Sequence, residues 1–206
     1  KEDIAIMRQI GLQGYRFSIA WPRIQPDGIG KPNAKGLDFY DKLVDALIAA
    51  HIVPYVTLFH WDLPYELHCR GGWLNRDIAD WFAEYVRIVV ERLGDRVKYW
   101  MTLNEPAVFA VIGYHDGRHA PGERYDLPDM LRLIHGILLS HGKGVQAIRA
   151  SRSESQVGWA HAGGVRIPAT TDPDDIAAAG RAMFSITTKD LWANTWWLDP
   201  VLLGEY

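Results

Sequence analysis

Four short apolar runs, each followed by a stretch of helical periodicity, constrain this chain more than any other feature. Leu12 to Trp21 carries Tyr15, Phe17 and Ile19 in alternation and ends at Pro22, while Ile52 to Phe59, Val97 to Leu103 and Gln156 to Ala162 are largely apolar. Such runs predict strands, and strands this apolar are expected to be covered on both faces. Between them the period becomes helical. Residues 1 to about 10 place Ile4, Met7 and Ile10 on one side before Gly11, and Asn33 opens a helix with Leu37, Tyr40, Val44, Leu47 and His51 near one face. Asn75 is the expected cap of the clearest helix, with Ile78, Trp81, Phe82, Tyr85, Val86, Val89 and Leu93 as its stripe and Gly94 as its stop. Met130 to Arg149 puts Leu131, Ile134, Leu138 and Val145 on its apolar side, and a helix is expected from Asp174 onward. Pro106 is expected to end the third strand's pairing, and Pro106 to Pro128 reads as a long loop punctuated by Gly113, Gly117, Pro121 and Gly122.

Strand–helix alternation four times over predicts an α/β fold with a parallel sheet. Two architectures fit, a doubly wound open sheet or part of a (β/α)8 barrel. No Gly-x-Gly-x-x-Gly or Walker sequence follows any of the runs, which removes the main support for a nucleotide-binding open sheet. Polar residues gather instead at successive strand C-termini: Arg16 and Ser18, His60, Asn104 and Glu105, and His161. Barrel enzymes carry their chemistry there, and a complete barrel takes about 250 residues. The expected fold is therefore a partial (β/α)8 TIM barrel of about four βα units, forming a single, incomplete domain over residues 1–206. Lys1 opens without a Met and Tyr206 closes without a polar tail, so the chain reads as a segment of a longer one.

Composition narrows the function classes. A net charge of −3 with Lys and Arg scattered argues against a nucleic-acid surface or an anionic membrane as partner. No apolar stretch approaches the roughly 18 residues of a membrane span. The single cysteine, Cys69, excludes an internal disulfide and a Cys-based zinc cluster; localisation stays open, with the cytoplasm favoured. His115, His119, His135 and His141 fall at no metal-ligand spacing, so neither a metal nor a cofactor is expected. Nine Trp, nine Tyr and six Phe are either core material or flat faces on which sugar rings stack.

Glu105 is the leading catalytic candidate. A carboxyl at the end of a buried strand has its neutral form favoured, which suits a general acid, and Asn104 beside it can donate to a substrate hydroxyl. At the preceding strand end, His60 offers an imidazole for the same purpose and Trp61 a stacking face or an N–H donor. Arg16 lies in an apolar strand, where an unpaired guanidinium is costly, so a carboxylate partner is expected for it. Asp62, followed by Leu63 and Pro64, is expected to fix its loop by bonding nearby backbone N–H groups rather than to catalyse.

Thr102-Leu103-Asn104-Glu105-Pro106 resembles the acid/base signature of glycoside hydrolase family 1, the β-glucosidases and their relatives. Tyr15 to Ile24, His60-Trp61-Asp62-Leu63-Pro64, Gly71-Gly72-Trp73, His119-Ala120-Pro121-Gly122 and Trp197-Leu198-Asp199-Pro200 resemble the same family in the same order. The resemblance implies a retaining β-glycosidase acting on a small-molecule β-glycoside or oligosaccharide. It also implies Glu105 as acid/base, His60, Trp61 and Asn104 as ligands of the glycone hydroxyls, and Arg16 against the nucleophilic carboxylate. The family's first strand and the segment supplying that nucleophile have no counterpart here, and Thr195 and His161 stand where Arg and Asn are usual. Little activity is expected of the 206 residues alone. The alternative is a non-catalytic carbohydrate-binding remnant; oligomeric state is open.

Overall fold

Each of the four apolar runs forms a strand, and all four pair in parallel. The computed structural model describes residues 2–186 and 190–206, so Lys1, where the first expected helix begins, lies outside the described residues. Contacts gather the chain into two compact units, Lys1–Asn104 with Leu139–Ala160, and Glu105–Leu138 with His161–Tyr206.

The first unit holds the sheet. Its strands β1 (Gly14–Ser18), β2 (Val53–Phe59), β3 (Tyr99–Asn104) and β4 (Gln156–Ala160) lie in sequence order. Helix α1 (Glu2–Gln9) precedes β1 and buries none of its residues. The end of the first run departs from the expected strand, because Trp21–Ile24 turns into a short helix, α2, with Pro22 in its first turn, where a missing N–H costs nothing. Asn33 caps α3 (Ala34–Ala49) as expected, its side chain accepting from the Lys35 N–H. His51 is not on that helix's buried face: α3 stops at Ala49, and His51 is an exposed residue at φ 59°, in the left-handed position that ends many helices.

Between β2 and β3 come α4 (Tyr65–Cys69), a 3-10 turn at Gly72–Leu74 and α5 (Ile78–Leu93). Asn75 does not cap α5 directly; its Oδ1 accepts from the N–H of Asp77, the residue at the cap position. The α5 stripe is buried along its length, with Ile78, Phe82, Tyr85, Val86, Val89 and Leu93 at zero exposure. Each such side chain contributes about 1.5–3 kcal/mol. Trp21 stacks on Tyr85 at 4.9 Å, and the Tyr85 hydroxyl donates to the carbonyls of Leu58 (2.8 Å) and Ile19 (3.3 Å). One phenol thereby ties the ends of β1 and β2 to the helix that covers them.

The second unit begins where a loop was expected. Pro106–Ala110 is a helix, α6, continued by a π-helical turn at Val111–His115. Pro106 starts this helix rather than merely ending β3, since its fixed φ is pre-set for a first-turn position. The rest of the stretch folds back on the turn: the Gly113 carbonyl accepts from the Glu123 N–H at 3.0 Å and that of Tyr114 from Tyr125 at 2.7 Å. Gly113 permits this approach, because an added Cβ would lie 2.7 Å from the Ala120 carbonyl oxygen. Helix α7 (Leu127–Ser151) begins in this unit and ends in the first; Leu131, expected on its apolar side, is exposed. The unit also holds α8 (Pro173–Phe184) and α9 (Thr195–Leu202). No helix among the described residues is long and apolar enough to cross a membrane.

Two stability predictions follow from the first unit. Gly36 of α3 is seated on α2, and a Cβ there would sit 2.1 Å from the Arg23 carbonyl oxygen, whereas a Cβ at helical Gly142 meets nothing within 4 Å. Gly36→Ala is expected to lower stability by about 1–3 kcal/mol, and Gly142→Ala to raise it by roughly 0.5–1 kcal/mol, both read from urea unfolding. The second concerns His141, buried on α7 with Nδ1 2.7 Å from Thr102 Oγ1 and its ring 4.8 Å from that of Trp159. Burial, with the Arg149 charge as a lesser cause, lowers its pKa to about 4. The unfolded chain therefore binds the proton first, so this contribution is complete above about pH 6.5 and is lost as pH falls toward 4. It amounts to on the order of 3 kcal/mol. Unfolding curves at pH 7, 5.5 and 4 should show the loss, and His141→Gln should flatten it.

Candidate active site

The C-terminal end of β3 is where chemistry-bearing side chains meet in the first unit. The pairing of β3 with β4 slips there, with three steps from Met101 to Asn104 against two from Gly158 to Ala160. An irregularity of this kind re-aims the side chains that follow it. Thr102 points to His141 of α7, yet Asn104, two residues on, joins Arg16 of β1. Asn104 is 3% exposed, so its amide must find partners inside the protein.

Those partners set its orientation. Arg16 Nη2 donates to Asn104 Oδ1 at 2.5 Å, and Arg16 Nε donates to Thr57 Oγ1 at 2.9 Å. A guanidinium only donates, so the Asn oxygen faces it and the Asn nitrogen faces the other way. On that side Nδ2 lies 3.1 Å from His60 Nε2. Nε2 must then accept, which leaves the His60 proton on Nδ1. Trp61, whose ring meets that of His60 edge-on at 5.3 Å, donates its indole N–H to the backbone carbonyl of Asn104 at 2.9 Å.

Four of the five site residues expected from the sequence are thus brought together: Arg16, His60, Trp61 and Asn104. Among these residues Arg16 is exposed and its hydrogen-bond partners, Thr57 and Asn104, are neutral. The Trp61 N–H is engaged by a backbone carbonyl, which leaves the ring face as the part of the indole suited to stacking. Thr57 was overlooked, although a lone Thr within an apolar strand is the kind of polar residue that needs a stated partner.

Glu105 follows Asn104 directly and opens the second unit. It is half-buried and sits at φ 47°, ψ 61°, a left-handed conformation uncommon for a residue with a Cβ. Its carbonyl accepts from Val108 (2.9 Å) and Phe109 (3.3 Å), so the backbone that carries the carboxylate is also the cap of α6. His161, expected at the end of the fourth strand, lies one residue past β4 and belongs, like Glu105, to the second unit. Burial lowers its pKa and a hydrogen bond donated to the Asn194 side chain opposes this, while Asn194 itself brackets Gly164 with Nδ2 to the carbonyl at 2.9 Å and Oδ1 to the N–H at 3.2 Å. Asp62 is half-buried, and its pKa is raised to about 6 by loss of hydration, against the N–H groups of Asp62 and His60 and the Arg23 charge. Among the described residues no group of three His, Cys, Asp or Glu is placed to hold a metal ion.

Comparison with known proteins bears on the family of this chain. A family profile described as Glycosyl hydrolase family 1 matches residues 1–206. The 1,4-beta-D-glucan glucohydrolase of Thermotoga neapolitana is 47% identical over 206 residues, covering all of this chain and 47% of that protein. Beta-glucosidase A of Thermotoga maritima is 45% identical over 206 residues, again covering all of this chain and 45% of the relative. The chain therefore spans a little under half the length of these relatives. Among solved structures, the beta-glucosidase from Thermotoga maritima in complex with deoxynojirimycin matches with a TM-score of 0.86 at 43% identity, over 100% of this chain and 45% of that one. The expected fold class, βα units of a (β/α)8 barrel, stands with the parallel sheet and this likeness.

Proposed function

This chain belongs to glycosyl hydrolase family 1, and on that premise we propose that it carries the acid/base half of a retaining, β-glucosidase-type active site. The observation that carries the reading is the Asn104 cluster. Arg16, Thr57 and His60 hold a buried amide in one orientation immediately before a carboxylate at the end of a parallel strand. In this reading His60, Asn104 and the face of Trp61 bind the glycone hydroxyls and ring. Asn104 Nδ2 has a second hydrogen to offer beyond the one directed at His60. Residues 1–206 make up an incomplete portion of one catalytic domain.

Retention needs two carboxylates about 5–5.5 Å apart across the scissile bond. Glu105 protonates the departing glycosidic oxygen while the second carboxylate attacks the anomeric carbon. Glu105 then removes a proton from the water that releases the sugar. No carboxylate of this sequence stands in a motif resembling the family's nucleophile, so the second one is assigned to a part of the full-length protein outside these residues. Arg16 is assigned a place beside it, since a guanidinium with only neutral partners retains its charge for an incoming anion. The substrate class is a small-molecule β-glycoside or a short oligosaccharide.

The decisive experiment is Glu105→Gln in the full-length protein. Turnover of an alkyl β-glucoside should fall by roughly 10²–10⁴-fold, with a smaller loss in the glycosylation step for aryl glucosides whose leaving groups need no proton. Wild-type turnover in the variant would overturn the assignment. The isolated 206-residue segment should show little or no hydrolysis of an aryl β-glucoside. Robust turnover that depends on Glu105 would overturn placing the nucleophile elsewhere, and a full-length protein that binds sugars without hydrolysing any glycoside would favour the carbohydrate-binding remnant.

A further inference from the structure

Thr57 carries a buried hydroxyl in an apolar strand. It stands on β2 between Ser18 of β1 and Met101 of β3, at 1% exposure, and its carbonyl accepts from the Ile19 N–H at 2.9 Å. A paired backbone and a β-branched side chain leave the hydroxyl little freedom. A Val would fill the same space without burying a polar group, so the hydroxyl calls for a use. Its partner is Arg16, whose Nε donates to Thr57 Oγ1 at 2.9 Å while Nη2 donates to Asn104 Oδ1 at 2.5 Å.

Those bonds occupy one edge of the guanidinium, because Nε and Nη2 lie side by side along it. The end of the fork, Nη1 together with the second hydrogen of Nη2, is uncommitted among the described residues. Two parallel N–H groups on a planar cation are the complement of a carboxylate.

We propose that Thr57 is a positioning residue: with Asn104 it engages the side edge of Arg16 and so presents the end of the guanidinium to the nucleophilic carboxylate. This rests on reading the cluster as part of a retaining active site whose nucleophile comes from the rest of the full-length protein. Asn104 alone does not fix the fork. A single bond from Nη2 lets the plane swing about it, and either edge that contains Nη2 can carry the contact. The second bond, from Nε to a side chain that is itself held, removes both freedoms. Thr57 acts through Arg16 and touches neither the sugar nor the nucleophile.

Its influence falls on one half of the reaction. Glu105 serves the leaving oxygen, whereas a guanidinium beside the nucleophile orients the group that attacks the anomeric carbon. A loss at Thr57 is therefore felt equally whatever the leaving group, while a loss at Glu105 grows with the proton demand of the leaving group. The glycone contacts are left in place, because Asn104 stays between Arg16 Nη2 and His60.

The test uses the full-length protein, with methyl β-D-glucoside and 2,4-dinitrophenyl β-D-glucoside as substrates and D-glucose as a competitive inhibitor. Thr57→Val should lower kcat/KM roughly 10- to 100-fold, the scale of a misplaced reacting group, by the same factor on both substrates. On the methyl glucoside kcat should fall while KM changes little, and the glucose Ki should stay close to wild type. Thr57→Ser, which keeps the hydroxyl, should restore most of the rate. In an Arg16→Lys background, where Nε and the fork are gone, Thr57→Val should cost little more. Wild-type kcat/KM in Thr57→Val, a loss confined to the methyl glucoside, a Thr57→Ser variant no better than Thr57→Val, or additive losses with Arg16→Lys would each overturn the proposal, as would a lowered melting temperature as the sole effect. If Thr57→Val does not fold, Thr57→Ala takes its place with the same outcomes, and wild-type kcat/KM in Arg16→Lys overturns the proposal independently. Failure of the broader reading looks different: Glu105→Gln would then keep wild-type turnover of the methyl glucoside, and both assignments fall together.

Discussion

A buried amide beside a guanidinium has one usable orientation, and the site depends on that constraint. Arg16 contributes only donors, so Asn104 must turn its oxygen toward β1 and its nitrogen toward His60. That choice in turn assigns the His60 tautomer, because a ring nitrogen facing an N–H must be unprotonated. Three side chains from three adjacent strands or strand ends are thereby fixed without any of them carrying a compensating charge. Arg16 is left with its positive charge and neutral partners. Hydrogen bonds to a charged group contribute about 1.5–3 kcal/mol each, so the cluster is held firmly while its net charge stays available.

The sequence made the skeleton of this fold legible for a physical reason. Strands covered on both faces are apolar throughout, so Ile52 to Phe59 and Val97 to Leu103 stand out with no knowledge of their neighbours. The α5 stripe is equally plain, because one helix face is buried along its whole length. What escaped was local backbone geometry. Pro106 reads as a stop, but in the first turn of α6 the same ring is a start, and only the left-handed Glu105 before it decides between them. The glycines after it suggested an irregular loop, whereas at Gly113 the missing Cβ admits the Ala120 carbonyl against a π-helical turn.

The site was legible as residue types and not as partners. Alternation along β3 places Asn104 on the same face as Thr102, and the slip in the pairing with β4, invisible in the sequence, is what separates them. Likewise an apolar strand containing Arg16 suggested a buried charge in need of a carboxylate, because burial was inferred from the neighbours in sequence. Among these residues Arg16 stands exposed on the first strand with Thr57 and Asn104 as its partners, contacts that the strand's own sequence does not name.

Where the charges do pair, they do so away from the site. Arg92 and Arg96 of the α5 region reach Asp38, Asp41 and Asp45 on α3, and the Arg96 hydrogen bond is the main reason the Asp41 carboxyl is held below its usual range. These pairs are partly to largely exposed, and exposed pairs contribute about 0–1 kcal/mol. They fasten two helices on the outer surface and ask nothing of the interior. Trp61 and Glu105 are the opposite case, since each holds a left-handed backbone at a strand end. Helices joined by interchangeable ion pairs tolerate substitution, whereas a strained residue holds only as long as its few neighbours do. The residues that fix the left-handed turns are therefore as specific to the site as the side chains the turns present.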